Sequence, residues 1–269
     1  MEKIAVIVVV AVVAGAALYL FSRNVSARQR LMRSAAATLA GALAAAGAVY
    51  GLEALTGDDA QMVDNAMTEA RTLPLVGLVL VDAPDAEARL RTALKEEMRN
   101  PTTQGAPRPL VLMSELRAKY IVPALRAADA ADAEGVLAAR IALMRHLRGT
   151  NVAACRELAL IGIQHGDRLD PQGQQLMRNM LTAMEKAYRT GRASMNAGAA
   201  AQPPVPNDTE AQALLVEAGL TPADFDKLQN LAKLSAEEAC ELGIRLNATP
   251  SKLPPDRAGG LARYLAAAQ

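Results

Sequence analysis

The feature that most constrains this chain is an uncharged apolar run at residues 4–21, which an arginine-rich turn separates from a second uncharged run at residues 35–52. Eighteen residues in a helix that rises about 1.5 Å per residue are long enough to cross a hydrocarbon core of roughly 30 Å. A signal-peptide core spans only about 7–15 residues and ends at small residues, whereas this run ends in bulky side chains before Arg23. We therefore predict an uncleaved membrane helix, with a cleaved signal peptide as the alternative.

The second run is rich in alanine and glycine, so on its own it would enter a bilayer poorly. Small residues spaced four apart allow two helix backbones to approach closely in lipid. Both runs carry such steps, formed by Ala11 and Gly15, by Ala37 and Gly41, and by Gly47 and Gly51. This spacing predicts a transmembrane helical hairpin over residues 1–57. The alternative is a soluble alanine-rich helix that leads into the body of the protein.

Positive charges between the two runs predict the orientation of the chain. The turn contains Arg23, Arg28, Arg30 and Arg33, whereas acidic residues follow the second run directly. The positive-inside rule places this turn in the cytoplasm and the body of the protein in the periplasm, across a bacterial inner membrane. If only the first run crosses, the body lies in the cytoplasm instead.

The charge balance of the body disfavours nucleic acid as a partner. Residues 1–33 carry a net charge of +4 and the whole chain carries +1, so residues 34–269 carry −3. Nucleic-acid binding uses basic patches and aromatic stacking platforms, and aromatic residues make up only 3% of this chain. We expect the lipid bilayer and other proteins as partners, and the sequence leaves the oligomeric state open.

Helical periodicity runs through the body and predicts an all-α fold after the hairpin. Leu90, Leu94 and Met98 recur every four residues, and Pro123 is expected to kink the helix that contains it. A methionine-rich stripe at residues 176–188 predicts core packing, with a peptide-binding groove as the alternative. Residues 73–81 look like a strand, but no second strand is available to pair with them, so we interpret them as a buried connector or as the edge of the membrane-proximal face.

The composition of residues 191–207 indicates a boundary inside the body. Small residues and three prolines predict an Ala/Pro-rich linker in this segment. It would separate an α-helical body at residues 58–190 from a small α-helical subdomain at residues 208–269. Helix-start signals at Thr221–Pro222 and at Ser235–Glu238 support helices in the subdomain.

The chain has two cysteines, Cys155 and Cys240, which occupy matching positions in two similar segments. Thr150 and Ser235 each lie five residues before a cysteine, which indicates a duplicated helix pair, with chance agreement between alanine-rich helices as the alternative. In an oxidising periplasm an even number of cysteines favours a disulfide. The alternative is that each is a small buried residue with a free thiol.

Residue patterns typical of enzymes are missing from the sequence. The two histidines, His146 and His165, are too few and too widely spaced from the cysteines to predict a zinc site. Adjacent carboxylates such as Glu96 and Glu97 are interpreted as a solvated helix face. No nucleophile motif or phosphate-binding loop occurs either. We therefore predict no catalytic, cofactor-binding or metal-ligating residues.

These observations favour a membrane-anchored helical interaction or scaffold protein with its soluble domain in the periplasm. A membrane-anchored hydrolase acting on the cell envelope is one alternative, because distant carboxylates could still form an acid pair. The other is an anchor with a single crossing and a cytoplasmic adaptor domain.

Overall fold

The computed structural model describes residues 59–103, 105–160, 162–163, 169–197 and 204–268. The predicted hairpin, with its arginines and its small-residue steps, lies outside these residues. Every regular element within them is helical and none is a strand, which confirms the all-α prediction for this part of the chain. None of the helices in the described ranges is long and apolar enough to span a membrane.

The chain divides into two compact units, residues 1–117 and residues 118–269. The first unit contains four described helices, which are α1 (Asp59–Thr72), α2 (Pro74–Asp82), α3 (Ala86–Arg99) and α4 (Arg108–Leu116). Helix α1 packs against α2 and α3, and α3 packs against α4. Val63, Met67 and Leu90 are fully buried between these helices.

The strand-like segment at residues 73–81 forms helix α2, so its interpretation as a connector is wrong. Its buried side chains are Leu75, Val76, Val79 and Leu80, whose spacing is that of one helical face. Pro74 lies in the first turn, where its missing N–H breaks no helical hydrogen bond. A short apolar run carries no periodicity that separates helix from strand, so contacts with α1 and α3 decide the outcome.

The second unit is built around one central helix, Ala130–Thr150. Its helices are α5 (Val122–Ala127), α6 (Ala130–Thr150), α7 (Val152–Leu160), α8 (Pro171–Asn196), α9 (Asp208–Glu217), α10 (Pro222–Gln229), α11 (Ala236–Asn247) and α12 (Pro255–Ala267), with short 3₁₀ turns at Leu231–Lys233 and Pro250–Lys252. The central helix α6 packs against α7, α8, α11 and α12. Helices α8 and α12 also pack against α5.

A π-helical turn, Arg117–Ile121, lies directly ahead of α5 at the site of the predicted kink. Proline donates no hydrogen bond, and its ring clashes with the carbonyl four residues earlier, which for Pro123 is that of Lys119. A π turn widens the helix at this point and accommodates the ring.

The predicted Ala/Pro-rich linker at residues 191–207 lies partly outside the described residues and stays a prediction. Helix α8 continues to Asn196, so the first residues of the 191–207 segment are helical. Gly191 lies against α5, where a Cβ atom would be only 1.7 Å from the carbonyl oxygen of Ala124. Helices α11 and α12 pack against α6 within the same compact unit. Composition cannot show whether helices on either side of a proline-rich segment pack together.

Candidate functional site

A groove of about 500 Å³ runs between α3 and α4 in the first unit. Its lining is formed by Ala88, Arg89, Thr92, Ala93, Glu96, Arg108, Val111, Leu112 and Glu115. The short side chains of Ala88 and Ala93 leave space on the α3 side. On the α4 side Leu112 is buried, whereas Val111 is 46% exposed. The groove therefore has an apolar centre that is open to solvent.

The loop between the two helices is fixed by Glu97. Its carboxylate accepts hydrogen bonds from the backbone N–H of Thr102 at 2.6 Å, the hydroxyl of Thr102 at 2.7 Å and the backbone N–H of Arg108 at 3.0 Å. The guanidinium of Arg108 also donates to the carbonyl of Asn100 at 2.7 Å. These bonds tie the end of α3 to the start of α4 and turn the chain back on itself.

The pKa of Glu97 reflects this arrangement. Burial of the carboxyl raises its pKa, but the hydrogen bonds from Thr102 and Arg108 lower it by more, so the net pKa lies below the usual value. Glu97 is therefore an ionised structural clamp, and its interpretation as part of a solvated face is wrong. The side chain is only 20% exposed.

Ion pairs close the groove at its two ends. Arg89 donates to Glu115 at 2.6 Å, and Arg108 lies 3.7 Å from Glu96. The start of α3 thus pairs with the end of α4, so the two helices are antiparallel. The sequence contains a signal for these ion pairs that our sequence analysis did not use. Arg89 and Glu96 lie seven residues apart, as do Arg108 and Glu115, and this spacing puts the two residues of each pair on one helix face.

The structure brings together the two cysteines singled out in the sequence. Cys155 in α7 and Cys240 in α11 are joined by a disulfide, with their Cα atoms 5.3 Å apart. Both are fully buried in a core that includes Met144, Leu158 and Met180. The methionine-rich stripe contributes to this core, since Met180 is buried there. The disulfide is therefore part of the hydrophobic interior of the second unit.

The proposed duplication is offset by one residue at its first helix. Asn151, and not Thr150, caps α7 by accepting a hydrogen bond from the N–H of Ala154 at 3.1 Å. The hydroxyl of Thr150 donates instead to the carbonyl of His146 in α6. Ser235 does cap α11, with a complete capping box. The two cysteines thus lie four and five residues after their caps.

His146 contacts an aspartate. Its Nε2 lies 2.8 Å from Oδ1 of Asp170, which accepts a hydrogen bond from the N–H of Gly173 at 2.6 Å as the N-cap of α8. The Gly173 N–H and then His146 lower the pKa of Asp170. No group of three side chains able to hold a metal ion occurs among the residues the structure describes, and His165 lies outside them. Through its contact with Asp170, the N-cap residue, His146 holds the start of α8 against α6.

No protein-family model matches this chain, and searches of curated proteins and of solved structures found no match either.

Proposed function

We propose that this chain is a membrane-anchored protein-interaction protein whose groove between α3 and α4 is the binding surface. The observation that carries the proposal is the exposed apolar centre of the groove inside a fixed polar frame. The anchor is the predicted hairpin at residues 1–57, and the body lies in the periplasm.

The shape of the groove suits a helical partner. Two antiparallel helices leave a channel that an amphipathic helix can enter with its apolar side chains. A volume of about 500 Å³ lies within the usual range for binding pockets. The Glu97 clamp holds the two walls in place before any partner arrives, so binding costs less conformational entropy.

The cysteine pair supports the proposed compartment. The Cα separation of 5.3 Å between Cys155 and Cys240 lies inside the range for a native disulfide. Such bonds form and persist in oxidising compartments such as the bacterial periplasm, and they are rare in the cytosol.

A pair of reporter fusions tests the topology. With alkaline phosphatase at the carboxyl terminus we expect activity, and with a cytoplasm-dependent fluorescent protein we expect no signal. The reverse result would place the body in the cytoplasm and leave one membrane crossing.

Photo-cross-linking tests the interaction surface. A photoreactive amino acid at Thr92, an exposed residue of the groove, should give cross-linked products in intact membranes. The matched control carries the same amino acid at Arg178, an exposed position on α8 in the other unit. Products that are equal at both positions, or missing at Thr92, would contradict a binding role for the groove.

A further inference from the structure

On the basis of the proposed function, we infer that the groove between α3 and α4 binds the same groove of a second copy of this chain, face to face across a two-fold axis. The four charged corners of the groove and its apolar centre carry this assignment.

The corners alternate in charge around the groove. On each helix the two corners are seven residues apart, which is about 10 Å along the axis. The ion pairs place Arg89 beside Glu115 and Glu96 beside Arg108. Neighbouring corners therefore carry opposite charges, and diagonal corners carry the same charge.

A surface with this pattern is complementary to its own copy. In a two-fold dimer of this kind the second copy is turned over about an axis in the plane of contact, which exchanges neighbouring corners. If the axis runs along the helices, Glu96 of each copy faces Arg108 of the other and Arg89 faces Glu115. If the axis runs across them, Arg89 faces Glu96 and Arg108 faces Glu115. In both orientations every corner meets an opposite charge.

These charges remain accessible to a partner. The side chains of Arg89 and Glu115 are 43% and 56% exposed, and those of Arg108 and Glu96 are 42% and 60% exposed. Arg89 also lies 3.9 Å from Asp85 and Arg108 lies 3.2 Å from Glu97, but the exposed part of each corner side chain can still meet a charge of the second copy.

The apolar centre of one groove meets that of the other. In such a dimer the second copy covers Val111, which is 46% exposed, together with Ala88 and Ala93. Removing this apolar surface from water favours association. The α3–α4 pairs of two copies that meet in this way form a four-helix bundle, an arrangement in which helices pack well.

The membrane anchor makes a small contact sufficient. Helix α4 has nine residues, so the contact area is limited and association in dilute solution is weak. Anchoring both copies in one membrane raises their effective concentration. The test therefore uses the full-length protein in its membrane.

Cross-linking between two differently tagged copies tests the inference. Both copies carry Thr92→Cys, and membranes are treated with a short bis-maleimide, which the buried and bonded Cys155 and Cys240 do not consume. We expect a product of twice the chain mass that carries both tags. Products that contain other proteins but no second copy would overturn the inference while the proposed binding function stands. A reaction without any product would overturn both.

A charge swap tests the corner pattern itself. A copy with Arg89→Glu and Glu115→Arg keeps the ion pair between these two positions and loses the 3.9 Å pair of Arg89 with Asp85. Against an unswapped copy it presents like charges at two of four corners in either orientation. We expect the mixed cross-link yield to fall roughly ten-fold relative to two unswapped copies. The matched control swaps the Arg257–Glu217 pair of the second unit and should leave the yield unchanged. Equal yields for the mixed and unswapped pairs would overturn the inference.

Discussion

Helices α3 and α4 contact each other, and so do helices α7 and α11, but different forces hold the two pairs together. Between α3 and α4, exposed ion pairs and the loop that Glu97 holds surround an open groove. Between α7 and α11, a disulfide lies in a closed core. Exposed ion pairs contribute about 0–1 kcal/mol each, whereas a disulfide that closes a long loop contributes several kcal/mol.

This difference separates groups that are used inside the fold from groups that remain exposed. The contact between α7 and α11 uses its groups inside the fold, since both cysteines are fully buried. The contact between α3 and α4 leaves Val111 and the charged side chains of Arg89 and Glu115 exposed, so these groups can still contact a partner. Changes at these two contacts test the contrast, and a change where α8 meets α5 gives a comparison.

The largest effect is expected from replacing both Cys155 and Cys240 with alanine. Their separation of 85 residues gives a loss of about 4–5 kcal/mol in the free energy of unfolding, because the unfolded chain regains the freedom that the bond removed. Denaturant titration of oxidised protein measures the change. Cys155→Ala alone should abolish the mobility difference between reduced and nonreduced samples. An unchanged midpoint in the double variant would show that the bond does not stabilise the fold.

A smaller effect is expected at Gly191, where α8 meets α5. Gly191→Ala places a Cβ atom 1.7 Å from the carbonyl oxygen of Ala124, so the helices must separate, at a cost of about 1–3 kcal/mol. The matched control is Gly135→Ala in α6, where the added Cβ meets open space and stability should rise by up to about 1 kcal/mol. Thermal unfolding compares the two variants. Equal midpoints would mean that α8 does not approach α5 closely.

The smallest effect is expected from Glu97→Gln at the loop between α3 and α4. The free energy of unfolding should fall by about 1 kcal/mol, because a neutral amide accepts weaker hydrogen bonds from Thr102 and Arg108. Amide hydrogen exchange should become faster in the loop between α3 and α4. Exchange that matches the unsubstituted protein would show that Glu97 does not clamp the loop.

The same clamp has a defined pH dependence. Because the folded pKa of Glu97 is lower than its ordinary value of 4.5, its contribution is fully present above about pH 4.5 and is lost as pH falls through the folded value. Slowed exchange in the loop should disappear over that range in the unsubstituted protein and change less in the Gln variant.

Local signals in the sequence located helix starts well. The predicted caps at Thr221 and Ser235 are both present as complete capping boxes, and Pro123 lies in the first turn of α5, just after a π turn. Contacts between arginines and the carbonyl groups of other elements leave no such local signal. Arg140 donates to Leu158 at 2.5 Å, and Arg156 donates to Ala232 at 2.8 Å.

The groove shows the same limit. Its seven-residue charge spacing is visible in α3 and in α4 separately, but only the fold shows that the two helices are antiparallel and that their charges pair. The sequence by itself determined the capped and periodic helices, because capping and helical periodicity act over four or five residues, whereas α2 depended on its contacts with α1 and α3. The tertiary structure alone decided which helices pack. Contacts such as the one between Arg263 and the carbonyl of Arg126, 137 residues apart, depend on every helix between them.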